Sequence, residues 1–234
     1  MKAPRAVSFE AKAILFDLDG VLVDSAECVE RTWSEWSARR GIDLGRVLEI
    51  AHGRRTIETL HAVAPHLATE KEVRELEERA AMIVEGLREI PGARELLRGL
   101  PPDAWAVVTS GTLAVADFRL RHLGLSVPAV LVTADDITRG KPDPEGYLKA
   151  AARLGQKPVD CVVIEDAPAG IEAAHAGGMR AIGIASTYPR DRLGHADCVV
   201  GRLQDLSITR ERGGFQIQAG AAVVPDSRQS VRYE

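Results

Sequence analysis

Residues 13–25 have the sequence AILFDLDGVLVDS, and the architecture of the chain follows from this stretch. The apolar run at 14–16, bounded by polar residues and a glycine, predicts a short buried strand. Asp17 and Asp19 follow two positions apart, so their side chains lie on one face of an extended chain. Carboxylates held that close repel each other unless a cation or a shared proton intervenes. Hard oxygen ligands of this kind suit Mg²⁺, which one or two carboxylates commonly hold together with a substrate phosphate.

Beyond residue 91, apolar runs typical of strands alternate with helical patterns of roughly ten residues. This alternation implies right-handed crossovers and a parallel sheet. The predicted strands are 104–110, 129–134, 160–167, 179–185 and 198–200. The opening strand belongs to the same sheet, because a continuous apolar run is typical of strands buried on both faces. The sequence therefore predicts an α/β fold with a doubly wound parallel sheet.

The segment between the opening strand and residue 91 contains helical patterns and no strand pattern. The predicted helices are 26–40, 43–51, 54–64 and 69–90, the last with a capping box formed by Thr69 and Glu72. We therefore predict an α/β core of residues 1–23 and 92–206, with an all-helical cap, residues 24–91, inserted in it. Residues 207–234 are predicted to form a C-terminal extension, with a hairpin turn at Gly213-Gly214 and then a mobile tail.

Charge and composition exclude several functional classes. The net charge of −4 predicts neither nucleic-acid binding nor attraction to anionic membranes. No apolar stretch is long enough to span a membrane, and residues 1–11 lack the apolar segment of a secretory signal. The three cysteines have no paired or metal-binding spacing, which is typical of a reducing compartment. We therefore expect a cytoplasmic protein.

Residues with phosphate or metal chemistry also follow the later predicted strands. The strand at 104–110 leads into Ser110-Gly111-Thr112, whose hydroxyl and backbone N–H groups at a helix start suit a substrate phosphate. Lys141 lies on a proline-rich turn, and Glu165-Asp166 follows another apolar run. Because ligands of open α/β sheets bind at the carboxyl ends of the strands, we expect these groups to meet at one site.

Four carboxylates at one site, those of Asp17, Asp19, Glu165 and Asp166, would be strongly destabilising if nothing balanced their charge. A metal ion and Lys141 would relieve the repulsion and leave room for an anionic substrate. Asp17 is then a candidate nucleophile that forms an aspartyl-phosphate. Asp19 is a candidate acid that protonates the leaving oxygen and afterwards activates water. The pattern predicts a Mg²⁺-assisted phosphoryl-transfer site.

The segments DLDGVLVDS, TSGT, GKPDP and EDAPAG occur in this order over about residues 12–185 and resemble the four motifs of the haloacid dehalogenase superfamily. The resemblance implies that Asp17 is the nucleophile, Asp19 the acid and base, and Ser110 a phosphate ligand, and that Lys141 orients nucleophile and phosphate. It implies Mg²⁺ bound by Asp17, the backbone carbonyl of Asp19, and Asp166, with Glu165 beside it. The inserted helices stand where that superfamily carries a small helical cap. Asp19 favours the phosphatase branch, because the dehalogenase branch does not need this acid.

Within the superfamily, the cap segment HGRRTIETL is similar to that of glycerol-3-phosphate, 2-deoxyglucose-6-phosphate and related sugar phosphatases. The similarity implies a small phosphorylated sugar or polyol as the substrate. It also implies that His52, Arg54 and Arg55 lie on a cap loop that faces the site. Arginine suits hydroxyl-rich or phosphorylated ligands through its forked donors. Arg54 is equally well interpreted as a solvated residue at a helix start, whereas Arg55 occupies the position that matches the family.

The alternative is a sugar-phosphate mutase resembling β-phosphoglucomutase, which shares the core, the cap and both aspartates. The cap helix of that family carries a histidine that helps to hold the acid–base aspartate in check. Val29 stands at the corresponding position of this chain. A mutase has to protect its phospho-aspartate from water, so the loss of this histidine favours hydrolysis.

Overall fold

The computed structural model describes residues 5–222. Its strands are, in chain order, β1 (Arg5–Ala11), β2 (Ala13–Phe16), β3 (Val23–Asp24), β4 (Arg88–Glu89), β5 (Trp105–Val108), β6 (Val130–Val132), β7 (Cys161–Glu165), β8 (Arg180–Ile184), β9 (Cys198–Val200), β10 (Leu206–Glu211) and β11 (Gly214–Ala222). Its α-helices are α1 (Ala26–Arg40), α2 (Leu44–Ala51), α3 (Thr56–Val63), α4 (Glu70–Ala80), α5 (Ala93–Arg98), α6 (Leu113–His122), α7 (Glu145–Arg153) and α8 (Pro168–Ala176). Within residues 5–222, no helix is long and apolar enough to cross a membrane.

A six-stranded parallel sheet with the order β6-β5-β2-β7-β8-β9 confirms the predicted doubly wound α/β fold. Strand β2 is fully buried, with Ile14 and Phe16 in one hydrophobic cluster and Ala13 and Leu15 in another. Burial on both faces explains why this strand is a continuous apolar run. The chain passes from β6 on one side of β2 to β7 on the other, so the topological switch point lies beside β2. Ligands of such sheets bind at this point, outside the carboxyl ends of the strands.

Helices α1 to α4 pack around their own apolar cluster. Trp36 is fully buried in it and meets Trp33 edge to face, with ring centroids 5.4 Å apart. The indole N–H of Trp36 donates to Glu72 Oε1 at 2.6 Å, and Arg40 forms an ion pair with Glu72 Oε2 at 2.6 Å. The predicted capping box is therefore only half present. The Thr69 hydroxyl accepts from the backbone N–H of Glu72. The carboxylate of Glu72 accepts from the indole N–H of Trp36 rather than from the backbone N–H of Thr69.

The end of α4 differs from the prediction of a helix over 69–90. The helix ends at Ala80, and Arg88–Glu89 forms a short antiparallel pair with Val23–Asp24. Ile83 and Leu87 are buried against the core cluster rather than along the helix, so tertiary packing determines where the helix ends. The prediction that this segment contains no strand was wrong, because β3 and β4 pair where the segment begins and ends. The two connections between the helical segment and the sheet thus run side by side.

A second sheet, with the order β1-β11-β10, is antiparallel and packs against the main core. Phe9 of β1, and Phe215 and Ile217 of β11, are buried in the same cluster as Phe16. Strand β1 was not predicted, and its partner is more than two hundred positions away. Strands β10 and β11 form a hairpin, and the predicted mobile tail, residues 225–234, lies outside the described residues. The limits of core, cap and extension remain predictions.

Candidate active site

The carboxyl ends of β2 and β7 bring together a buried lysine and two carboxylates. Lys141 Nζ lies 2.5 Å from Asp17 Oδ1 and 2.6 Å from Glu165 Oε1. The three side chains are at most 7% exposed. Asp17 is anchored by β7, because its backbone N–H donates to the carbonyl of Ile164 at 3.0 Å. The parallel register of β2 and β7 therefore places the candidate nucleophile beside Glu165, and Lys141 reaches both carboxylates from the turn before α7.

Asp17, Glu165 and Asp166 form a buried acidic cluster, with one oxygen from each lying within 4.8 Å of the others. Burial raises the pKa of Asp17 to about 7, against the opposing effect of Lys141, and the charges of Glu165 and Asp19 raise it further. Burial and the charge of Glu165 also raise the pKa of Asp166. Lys141 contacts two of these carboxylates, and its one positive charge does not balance three ionised carboxylates. Hard oxygen donors with excess negative charge fit a divalent cation such as Mg²⁺.

Glu165 is the most constrained member of this cluster. Its Oε1 accepts from Lys141 and from the hydroxyl of Tyr147, the latter at 2.9 Å. Its Oε2 accepts from the backbone N–H groups of Asp166 and Ala167 at 2.8 and 2.9 Å. Each oxygen thus already accepts two hydrogen bonds, which is the usual capacity of a carboxylate oxygen. This geometry favours Glu165 as a residue that orients Lys141, and leaves Asp17 and Asp166 as the better metal ligands.

Asp19 points away from the acidic cluster and toward helix α6. Its Oδ1 accepts from Ser25 Oγ at 2.6 Å and from Arg119 Nη1 at 2.5 Å. Ser25, at the N-cap position of α1, makes no side-chain capping bond, because its hydroxyl is directed to Asp19. The Arg119 side chain is 5% exposed, and residues 5–222 do not provide a hydrogen-bond partner for its Nε. Sequence reasoning missed Arg119.

A sequence signal for Arg119 did exist. The buried positions of α6 are Val115, Ala116, Arg119 and Leu120, which lie on one helical face. An arginine on an otherwise apolar face needs a buried acidic partner, and Asp19 is that partner. Which carboxylate it meets could not be predicted, because the two residues are 100 positions apart.

The loop after β5 carries the predicted phosphate ligands, and two of their hydroxyls are bonded to the helical segment. Ser110 Oγ donates to the carbonyl of Gly53 at 2.9 Å. Thr112 Oγ1 donates to Glu77 Oε2 at 3.1 Å. The Gly111 N–H donates to the side chain of Thr109 at 3.1 Å. Ser110 and Gly111 line the cleft described below, whereas Thr112 lies at the N-cap of α6 beside it.

Arg55, which the sequence favours as the substrate-binding cap arginine, is held by protein groups in this structure, and its role toward a substrate stays a prediction. Arg55 donates to Glu58 Oε1 through Nε and Nη2, at 2.9 and 2.7 Å. Its Nη1 and Nη2 also donate to the carbonyls of Ile137 and Thr138, at 3.0 and 2.6 Å. Every guanidinium nitrogen has a protein partner, so Arg55 ties α3 to the loop that precedes Lys141. It does not line the cleft.

His52 and Arg54, by contrast, line the cleft between the helical segment and the sheet. His52 meets Tyr188 edge to face at 6.4 Å, and burial lowers the pKa of its imidazole, which favours the neutral form. The cleft has a volume of about 950 Å³ including its open mouth. Asp17, Asp19, Ser110 and Asp166 line the same cleft. Of the predicted site residues, these six and Gly111 share one space, which Gly20 also lines.

A family model described as haloacid dehalogenase-like hydrolase matches residues 11–178. The chain belongs to the haloacid dehalogenase-like hydrolases. The matched span contains Asp17, Ser110, Lys141 and Asp166, so the family motifs coincide with the residues that meet in space. The sequence-based resemblance to this family is confirmed.

Named relatives of this haloacid dehalogenase-like hydrolase include two phosphatases. Hexitol phosphatase A of Escherichia coli is 41% identical over 211 residues, which cover 87% of this chain and 96% of the relative. Glycerol-1-phosphate phosphohydrolase 2 of Saccharomyces cerevisiae is 38% identical over 206 residues, which cover 83% of this chain and 82% of the relative. Among solved structures, β-phosphoglucomutase from Clostridium difficile superposes with a TM-score of 0.74 at 26% identity, covering 84% of this chain and 93% of that one.

Proposed function

We propose that this haloacid dehalogenase-like hydrolase hydrolyses the phosphomonoester of a small sugar or polyol through an aspartyl-phosphate on Asp17. The observation that carries the proposal is the buried contact of 2.5 Å between Asp17 and Lys141, at the floor of a cleft. A carboxylate held there has one oxygen paired with a cation and the other available for attack. The phosphatase activity of the named relatives supports the same reaction class.

The reaction takes place in two displacements. The free carboxylate oxygen of Asp17 attacks phosphorus, forming an O–P bond while the bond from phosphorus to the leaving oxygen breaks. Asp19 gives its proton to that leaving oxygen, and the sugar or polyol departs as the alcohol. Asp19 then takes a proton from water, whose oxygen attacks phosphorus and breaks the bond to Asp17. Inorganic phosphate is released, and both aspartates return to their starting states.

Asp17, Asp166 and the backbone carbonyl of Asp19 would hold Mg²⁺. The fit rests on the acidic cluster of three carboxylates, two of which contact Lys141, and in which burial raises the pKa of Asp17 and Asp166. Bound Mg²⁺ supplies positive charge against the phosphoryl oxygens. Lys141 supplies a second positive charge that is already in place, and Glu165 and Tyr147 keep it aimed at Asp17. Ser110 and the N-terminus of α6 provide donors to the phosphate.

Gly20 leaves room for the Asp166 carboxylate beside the turn after β2. Alanine substitutions at Gly20 and at Gly41 test this role. A Cβ at Gly20 would lie 1.9 Å from Asp166 Oδ2, and its φ is +80°. Gly41 has a similar φ of +66° with nothing within 4 Å of its Cβ position. We expect Gly41→Ala to lower the free energy of unfolding by about 1–2 kcal/mol through backbone strain alone. We expect Gly20→Ala to cost more and to lower kcat/KM about 100-fold, because Asp166 is displaced. Urea unfolding and phosphate release measure the two effects, and equal effects of both variants would contradict the role given to Asp166.

Hydrolysis is favoured over the mutase reaction by the residues around Asp19. Val29 lines the cleft but its side chain offers no hydrogen-bonding group. Asp19 is held by Arg119 and Ser25 instead, and neither comes from the position of the mutase histidine. Val29 therefore cannot restrain Asp19 as the mutase histidine does, and we expect water to hydrolyse the phospho-aspartate without that delay.

The deciding experiment is phosphate release from a panel of esters with and without Mg²⁺. We expect Mg²⁺-dependent release from hexitol phosphates, glycerol 1-phosphate or 2-deoxyglucose 6-phosphate, and its loss on adding EDTA. A parallel reaction with β-glucose 1-phosphate and a glucose bisphosphate activator is followed for glucose 6-phosphate. Formation of that isomer without phosphate release would favour the mutase and contradict the proposal. An enzyme inactive on the whole panel would contradict both.

A further inference from the structure

Glu77 on α4 is a carboxylate in the cleft for which the proposed chemistry has no use. Its Oε2 accepts from Thr112 Oγ1 at 3.1 Å, and its Oε1 accepts from Thr56 Oγ1. Thr56 belongs to the first turn of α3, and Thr112 precedes α6 of the sheet domain. Glu77 therefore stands where the helical segment meets the loop that contains Ser110.

The charge of Glu77 determines which part of a substrate it can contact. An ionised carboxylate repels a phosphate group, so it cannot act as a ligand of the transferring phosphoryl group. It can accept hydrogen bonds from neutral donors that lie beyond the phosphate. Both of its present partners are hydroxyl groups, those of Thr56 and Thr112, which is the same donor chemistry that a polyol offers.

The neighbouring wall of the cleft is otherwise mostly apolar. Val29, Trp33, Leu76 and Ala80 line it from α1 and α4. Such a wall contacts the carbon skeleton of a sugar or polyol, since aromatic and aliphatic side chains pack against C–H groups. Glu77 adds a negative charge to this wall, and a second carboxylate brought in by a substrate would be repelled by it.

We propose that Glu77 is a specificity-determining residue. It accepts hydrogen bonds from the hydroxyls of a polyol or sugar leaving group and excludes phosphorylated carboxylic acids. The inference rests on the proposed phosphatase activity and adds the residue that selects the leaving group and the class of ester that is excluded.

The test uses the full chain with Mg²⁺ and three variants, Glu77→Gln, Glu77→Ala and the exposed neighbour Glu78→Gln as a matched control. The substrates are glycerol 1-phosphate, phosphoglycolate and p-nitrophenyl phosphate. The first two are of similar size and differ in carrying hydroxyls or a carboxylate, and the third carries neither.

We expect Glu77→Ala to raise KM for glycerol 1-phosphate about 10–100-fold with kcat changed less than about threefold, because a hydrogen bond to a charged group is lost in ground and transition states alike. We expect Glu77→Gln to raise kcat/KM for phosphoglycolate about tenfold, because the repulsive charge is gone. Turnover of p-nitrophenyl phosphate by both variants, and of all three substrates by Glu78→Gln, is expected to stay within about threefold of the parent enzyme.

Two results would overturn the inference while leaving the proposed function intact. One is an equal loss for glycerol 1-phosphate and p-nitrophenyl phosphate, which would mean that Glu77 only holds the helical segment against α6. The other is an unchanged ratio of phosphoglycolate to glycerol 1-phosphate in Glu77→Gln. Thermal unfolding checks each variant, and if Glu77→Ala does not fold, the nearly isosteric Glu77→Gln decides. A parent enzyme that hydrolyses neither these three esters nor any sugar or polyol phosphate of the panel above would overturn the proposed function, and this inference with it.

Discussion

Asp17→Asn is expected to lower phosphatase turnover by at least about 10⁴-fold, the order of loss seen when a catalytic group that acts as part of a unit is removed. The amide oxygen and nitrogen of asparagine cannot form the phospho-enzyme. The variant should nevertheless fold, because the two side chains have nearly the same shape. Asparagine also removes one negative charge from a cluster in which burial and neighbouring carboxylates raise the pKa of Asp17 to about 7.

Phosphate release and urea unfolding at pH 8 measure these two effects of Asp17→Asn. The free energy of unfolding should be no lower than that of the parent protein, because a carboxylate with a raised pKa is destabilising once it is ionised. Asp103→Asn is the matched control, since Asp103 is exposed. Its turnover and stability should both match the parent enzyme. Full turnover by Asp17→Asn would refute the nucleophile assignment.

Lys141→Met is expected to lower the free energy of unfolding by about 3–5 kcal/mol at pH 8, the cost of removing one partner from a buried ion pair. Lys141 is 5% exposed and contacts two carboxylates, those of Asp17 and Glu165. Methionine fills much of the same volume without the charge, so the loss comes from carboxylates left without a cation. Turnover should fall at least about 100-fold, because a fixed charge next to the reacting group is removed.

The stability deficit of Lys141→Met should depend on pH. Without the lysine, the pKa of the buried Asp17 carboxyl rises further above its unfolded value. A carboxyl with a raised folded pKa is protonated at low pH and destabilises the fold increasingly as pH rises toward that pKa. The deficit should therefore be smaller at pH 6 than at pH 8. Lys157→Met, at an exposed lysine, is the control and should change stability by less than about 0.5 kcal/mol. A deficit equal at both pH values would contradict the charge argument.

Much of the fold could be predicted because its signals are local. The strands of the parallel sheet are apolar runs, and the helices between them have a 3.6-residue period, so their positions follow from neighbouring residues. The C-terminal end of α4 and strand β1 could not be predicted in this way. Ile83 and Leu87 leave the helical pattern to pack on the core, and β1 is a strand because β11 pairs with it.

The cap residues show the same division. The segment HGRRTIETL predicts a loop that faces the site, but it does not predict which of its two arginines is available to contact a substrate. Arg55 is committed to Glu58 and to two carbonyls of the loop before Lys141, and Arg54 lines the cleft. The choice between these adjacent side chains depends on partners that are 82 and 83 positions away, so a local sequence pattern cannot predict it.

The sequence by itself determined the family, the parallel sheet and the carboxylates at its strand ends, because each depends on the order and spacing of nearby residues. Only the tertiary structure decided that Lys141 is shared by Asp17 and Glu165, that Arg119 and Ser25 hold Asp19, and that Glu77 stands beside the phosphate loop. The physical reason is that charge pairing acts through space. Its partners come from separate strands and helices, and they meet only when the chain has folded.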